Sequence, residues 1–108
     1  MALPTANRVK AGEDFRRITR TGRRVRTPFA IVSIATPGTS ESRFGFVVSK
    51  KVGNAVVRNR LRRRLSEIVR AELPLGDPHD VVVRVLPAGA DADFDTLKSV
   101  VVPILRSR

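Results

Sequence analysis

The segment running from Asn54 to Leu73 constrains the fold of this 108-residue chain more than any other. At 100° per residue, Val57, Leu61, Leu65, Ile68 and Val69 fall within about 120° of arc, the narrow apolar stripe of a helix that rests one face on a partner. Arg58, Asn59, Arg60, Arg62, Arg63 and Arg64 occupy the remainder of the circumference. The spacing predicts a helix over 55–73 with Asn54 as its N-cap. The run Pro74-Leu75-Gly76-Asp77-Pro78 ends it. Such a helix lies on the outside of a sheet, apolar stripe inward and guanidinium groups outward.

The rest of the chain supplies that sheet. Phe29 to Ala35 is dense in β-branched residues, and Arg43 to Lys50 places Phe44, Phe46 and Val48 on one face. The turn-forming run Thr36 to Ser42 between them suggests a hairpin. Asp80 to Leu86 reads as a third strong strand, and Val25 to Thr27 begins another. Gly12-Glu13-Asp14-Phe15 opens a short helix over 12–20, with acidic residues at the positive end of its dipole and Gly22 as its stop. Ala92 to Arg106 forms a last helix, with Phe94, Leu97, Val101, Ile104 and Leu105 at helical spacing. Pro103 lacks the N–H to bond back one turn, which predicts a kink or an early end near Val102. The order α-β-β-β-α-β-α describes a small α/β sandwich of the α+β class. Without internal repeats or a dividing linker, the chain reads as one domain over 1–108.

Charge points to the partner. Lys and Arg number 21 against 10 Asp and Glu, a net charge of +11. Residues 1–70 hold 17 basic and 4 acidic side chains, whereas residues 71–108 hold 4 and 6. Arg58 with Arg62, Asn59 with Arg63, and Arg60 with Arg64 share stripes at i,i+4, and like-charged neighbours there oppose the helix by a few tenths of a kcal/mol each, roughly. A chain carries that arrangement when an external polyanion neutralises it. Arginine binds phosphate bidentately and stacks on bases. The run follows Ser49-Lys50-Lys51 at a helix N-terminus, where backbone amides already favour anions. Nucleic acid is the expected partner. An anionic membrane surface fits less well, because no amphipathic helix here exposes Trp, Phe or Leu.

Catalytic chemistry is poorly served. The chain has no cysteine, so disulfides and thiolate metal sites are excluded, and its single histidine, His79, argues against a histidine-rich metal site and a Ser/His or Cys/His nucleophile system. Asp91, Asp93 and Asp95 alternate without the loop pattern of a calcium site, and charge compensation at a helix start accounts for them. We therefore expect no catalytic residues and no metal ligands on the chain. The N-terminus lacks the apolar core of a signal peptide, and a cytoplasmic location is expected.

At Ser49-Lys50-Lys51-Val52-Gly53-Asn54-Ala55-Val56-Val57-Arg58-Asn59-Arg60 the sequence closely resembles the signature of the bacterial ribonuclease P protein subunit. Asn7-Arg8-Val9 and Glu13-Asp14-Phe15 match that family's opening segment and first helix. Gly76-Asp77-Pro78-His79-Asp80, followed by the valine-rich run, fits its fourth strand. The resemblance implies a four-stranded sheet whose basic helix sits in an unusual left-handed βαβ crossover, against the usual rule. It also implies a protein that binds a catalytic RNA subunit and the 5′ leader of precursor tRNA. The RNA subunit, with its Mg²⁺ ions, would carry out the endonucleolytic cleavage. Lys50, Lys51, Asn54, Arg58, Asn59, Arg60, Arg62 and Arg63 match the RNA-binding signature, and Arg64 extends the run. Phe15 matches an aromatic of the leader cleft, with Arg16 beside it, where stacking would hold bases without strong sequence preference.

Departures from the family pattern are also visible. Thr19 stands where many relatives place a second aromatic, and Val32 where some have tyrosine. Ser66 occupies a usually basic position, and Arg64 a usually apolar one. Leader binding here is expected to lean less on stacking and more on charge. A ribosomal-protein-like RNA-binding module without a processing role is the main alternative. A DNA-binding regulator fits worse, because no helix precedes 55–72 at helix-turn-helix spacing.

Overall fold

A computed structural model describes residues 3–73 and 77–107. After a 3₁₀ turn at Thr5–Asn7, the elements are α1 (Gly12–Thr21), β1 (Arg23–Arg26), β2 (Ala30–Ala35), β3 (Arg43–Val47), α2 (Ala55–Ala71), β4 (Asp80–Val85) and α3 (Phe94–Arg106), with a second 3₁₀ turn at Pro87–Gly89. They reproduce the expected order, and the helices flank a single four-stranded mixed sheet. Part of the expected helix-ending run, Pro74-Leu75-Gly76, lies outside the described residues.

The sheet order is β1-β2-β4-β3, with β3 and β4 parallel and the other pairs antiparallel. This overturns the expected hairpin of β2 and β3, since β4 lies between them. The reason is burial. Val81, Val82, Val83 and Val85 are at most 3% exposed, so β4 buries side chains on both sheet faces. A strand apolar on both faces belongs in the sheet interior. The chain therefore leaves β3, crosses over through α2 and returns parallel to it as β4. That leaves β3 at an edge, where a single parallel bridge between Arg8 and Phe44 covers part of it, with the Val9 amide donating to the Phe44 carbonyl at 3.0 Å.

Alternation along the strands sorts side chains into two layers. Ala30, Val32, Ile34, Phe44, Val81, Val83 and Val85 face α2 and α3, meeting Leu61, Leu65, Ile68, Leu97, Val101 and Leu105 in the main core. Val82 and Ala35 face the other way and pack beneath Ile18 of α1. Val32 is thus fully buried on the α2 side and cannot line a cleft beside α1. Ser33, its neighbour in the strand, takes that position.

Several boundaries also shift by one to three residues, among them the end of α2 at Ala71 and β1 at Arg23–Arg26. The β3 strand ends at Val47 instead of Lys50, because Ser49 to Val52 form a turn closed by the Val52 amide on the Ser49 carbonyl at 3.1 Å. Helix α3 runs through Pro103 to Arg106 without the expected early end. A proline inside a helix costs about 3 kcal/mol. Val101, Val102, Ile104 and Leu105 on either side of it are all buried, and that burial outweighs the lost hydrogen bond. Pro103 itself faces solvent.

Candidate nucleic-acid interface

The loop from Val48 to Asn54 and the first three turns of α2 form one cationic end of the molecule. Lys50 and Lys51 are exposed on the turn. Gly53 is required by close approach, since a Cβ there would come within 2.8 Å of the Val57 side chain. Asn54 caps the helix as expected, its Oδ1 accepting from the Val57 amide at 3.0 Å. The apolar stripe of α2 is buried in the main core at Leu61, Leu65, Ile68 and Val69. That burial fixes the rotation of the helix and turns Val56, Asn59 and Arg63 outward. Val56, at 71%, is the one large hydrophobic residue exposed among the described residues.

The decisive feature is what the arginines do not touch. Among the described residues, Arg58, Arg60, Arg62, Arg63 and Arg64 form no ion pair. The Nε atoms of Arg58 and Arg60 are buried without a hydrogen-bond partner. Arg62 donates to the Asn59 side chain at 3.2 Å and to the Val48 carbonyl at 3.4 Å, which fastens the loop to the helix. Arg64 donates to the Ala92 carbonyl at 2.9 Å and ties α2 to the segment before α3. Five positive side chains thus lie along one helix with no ion pair among the described residues, and Asp93 acts on Arg64 only at longer range.

The contrast with the rest of the molecule is sharp. Asp80 is fully buried and accepts from Arg43 at 3.1 and 2.8 Å, from Arg17, and from the Gly38 amide at 3.0 Å. Asp14 adds a second carboxylate 3.5 Å from Arg43. Burial alone would raise the Asp80 pKa, but the hydrogen bonds from Arg43, Arg17 and the Gly38 amide prevail and hold it below the ordinary carboxylate value. The Arg43 pKa is raised in turn, chiefly by its hydrogen bond to Asp80. Arg17 and Arg43 thus meet acids in the fold, whereas Arg62 and Arg64 meet only neutral oxygens. Sequence reasoning missed this cluster, although a lone aspartate opening a valine-rich strand was a signal for it.

Helix α1 divides its side of the sheet into two grooves. Phe15 lines one of about 320 Å³ that passes over the edge of β3 toward Arg62 and Ser66 of α2. Its ring leaves no room for a Cβ on Gly45. Thr19, Ser33, Arg24 and Arg84 line the other, of about 330 Å³. Arg16 is exposed on α1 and lines neither groove, so Phe15 and Arg16, paired in the sequence reading, point to different surroundings. No group of three or more His, Asp or Glu side chains that could hold a metal ion is present among the described residues. No helix among them is long and apolar enough to cross a membrane.

Comparison with known proteins places this architecture. The Ribonuclease P family profile matches residues 3–107. The ribonuclease P protein component of Clavibacter michiganensis subsp. michiganensis is 47% identical over 98 residues, which cover 89% of this chain and 87% of that one. The component from Micrococcus luteus is 44% identical over 109 residues, covering 89% and 83%. Among solved structures, the RNase P protein of Staphylococcus aureus superposes with a TM-score of 0.86 at 27% identity, covering 95% of each chain. That of Thermotoga maritima gives 0.83 at 27% identity, covering 94% and 96%. With the signature at Ser49–Arg60 on the loop and helix described above, the chain belongs to the ribonuclease P protein family.

Proposed function

We propose that this chain is the protein subunit of a cytoplasmic tRNA-processing ribonucleoprotein. It binds the catalytic RNA through Lys50, Lys51, Asn54 and the arginines of α2, and the 5′ leader of precursor tRNA through the side of the molecule bearing α1. The observation that carries this reading is the arginine array on α2, which forms no ion pair among the described residues while Arg17, Arg43 and Arg106 elsewhere in the fold do. Phosphates supply the missing counter-charge, and guanidinium forks bind them in a defined geometry. Phe15 on its groove gives the leader an aromatic platform that accepts any base. Thr19 and Ser33 line the second groove in place of aromatics, and Arg24 and Arg84 beside them shift the balance toward charge. Phosphodiester cleavage is left to the RNA and to Mg²⁺ that the RNA holds. The protein contributes binding and orientation.

Reconstitution tests the proposal. Purified protein alone is expected to leave precursor tRNA intact. Added to the cognate RNA at low Mg²⁺, it is expected to raise cleavage efficiency for substrates that carry a leader. Equal rates with and without protein contradict it, and RNA binding without any effect on cleavage assigns the chain to the alternative of a plain RNA-binding module.

A further inference from the structure

We propose that Arg17 and Asp80 are positioning residues for the 5′ leader, because their ion pair sets where the Phe15 ring lies on the sheet. The inference rests on the leader-binding function proposed above and adds to it two residues that line neither groove beside α1. Helix α1 needs such a restraint. Of its ten residues Ile18 alone is buried, and a single apolar anchor leaves a short helix free to turn about it. The half-buried Phe15, three residues earlier, is its other apolar contact with the sheet. Its ring rests on Gly45, which has no side chain to hold it.

The register of the sheet supplies what the apolar contacts lack. Arg43 lies opposite Asp80, and two residues on, on the same face, Gly45 lies opposite Val82. Residues three apart share a helix face. Asp14 and Arg17 therefore meet the Arg43–Asp80 row, while Phe15 and Ile18 meet the Gly45–Val82 row. Arg17 donates to the fully buried Asp80 carboxylate, and to the Thr36 carbonyl just past the end of β2 at 3.4 Å. Asp14 lies 3.5 Å from Arg43. With these crossed pairs, α1 can neither slide along β3 nor roll about Ile18 without breaking an ion pair. Burial of Asp80 strengthens the hold, because hydrogen bonds in a low-dielectric site are stronger than in water. A change at Arg17 or Asp80 thus reaches the groove through Phe15, one row away.

The test uses Arg17→Gln, which releases α1 while Arg43 stays on Asp80 within the sheet. In the full chain, the ring current of Phe15 displaces the α-proton resonances of Gly45. Arg17→Gln is expected to move them toward the ordinary glycine position, and unmoved resonances overturn the inference. In the reconstituted holoenzyme, affinity for precursor tRNA with a leader is expected to fall about tenfold, in line with the contribution of one stacked base. Affinity for a leaderless substrate is expected to stay the same, and an equal loss for both overturns the inference. On a Phe15→Ala background, Arg17→Gln is expected to cause no further loss of leader affinity, whereas an additive loss means that Arg17 does not act through Phe15. The slope of log affinity against log salt is expected to be unchanged. A slope flatter by about 0.7, the value for one phosphate of a single strand, shows that Arg17 meets the leader itself and overturns its positioning role. Asp80→Asn, measured well below its melting temperature, is expected to give the same leader-specific loss, and full leader affinity there overturns the role of Asp80. Failure of the leader-binding function itself reads differently, as an unaltered protein that gives no advantage to substrates with a leader.

Discussion

Asp80→Asn is expected to lower the unfolding free energy by about 3–5 kcal/mol, the usual result of removing one partner from a buried ion pair. For a domain of this size, that is a fall in melting temperature on the order of 15 °C or more. The carboxylate is fully buried, and its loss leaves Arg43 and Arg17 without the charge that brought them together. Because Arg17 is on α1, Arg43 on β3 and Asp80 on β4, the cluster pins α1 to the sheet. Combining Asp80→Asn with Arg43→Gln is expected to cost less than the sum of the two single changes, as for any pair in direct contact. The pH dependence follows from the depressed Asp80 pKa. Stability from this group is fully present above the unfolded carboxylate value of 3.8 and is lost as pH falls from there through the lower folded value. Urea unfolding of the wild type and Asp80→Asn should therefore converge as the pH drops below that value. A loss under about 1 kcal/mol would show that the carboxylate does not hold α1 in place.

Reversing charge at Arg58 and Arg60, as Arg58→Glu with Arg60→Glu, is expected to act on binding and to spare the fold. Neither arginine pairs with an acid among the described residues, and each faces a like charge one turn on, at Arg62 and Arg64. Unfolding free energy should stay within about 1 kcal/mol of the wild type. Affinity for the catalytic RNA should fall about 100-fold or more, since a hydrogen bond to a charged group contributes about 1.5–3 kcal/mol. The slope of log affinity against log salt should flatten by about 1.5, because two fewer phosphate contacts release counterions. Titrations at several salt concentrations read both quantities. An unchanged slope would show that these arginines do not meet phosphate.

The parts of this molecule legible in the sequence were those set by local periodicity. The apolar stripe from Val57 to Val69 and the cap at Asn54 predicted α2, and the helix is there with the cap bond made. The signature from Ser49 to Arg60 indicated the family. Pairing partners were harder, because strand order depends on which strand buries both faces. The two faces of β4 are apparent in its valines, but their claim on the centre of the sheet emerges only against β2 and β3. The unbroken α3 helix has a similar cause, since Pro103 obeys the burial of its neighbours and not its own propensity. Val32 shows the hazard of position by resemblance alone. A shift of one residue along a strand moves a side chain to the opposite face, and the place in the groove beside Thr19 of α1 belongs to Ser33. The Asp80 cluster joins residues 63 positions apart and has no local pattern at all.

The central claim is that the free face at the start of α2 lies along RNA. The absence of cysteine allows a single thiol to be placed at will and to carry a tethered iron chelate that cuts nearby RNA. Val56→Cys puts it on the outward face among the arginines, and Ser107→Cys puts it beside Arg106, which pairs with Glu72 at the far end of α2. The two positions are separated by most of the helix length, about 25 Å at 1.5 Å per residue. In the reconstituted complex, the chelate at position 56 is predicted to cut the catalytic RNA at a few discrete nucleotides, and the one at 107 to cut weakly or not at all. Strong discrete cleavage from 107 with none from 56 would contradict the account.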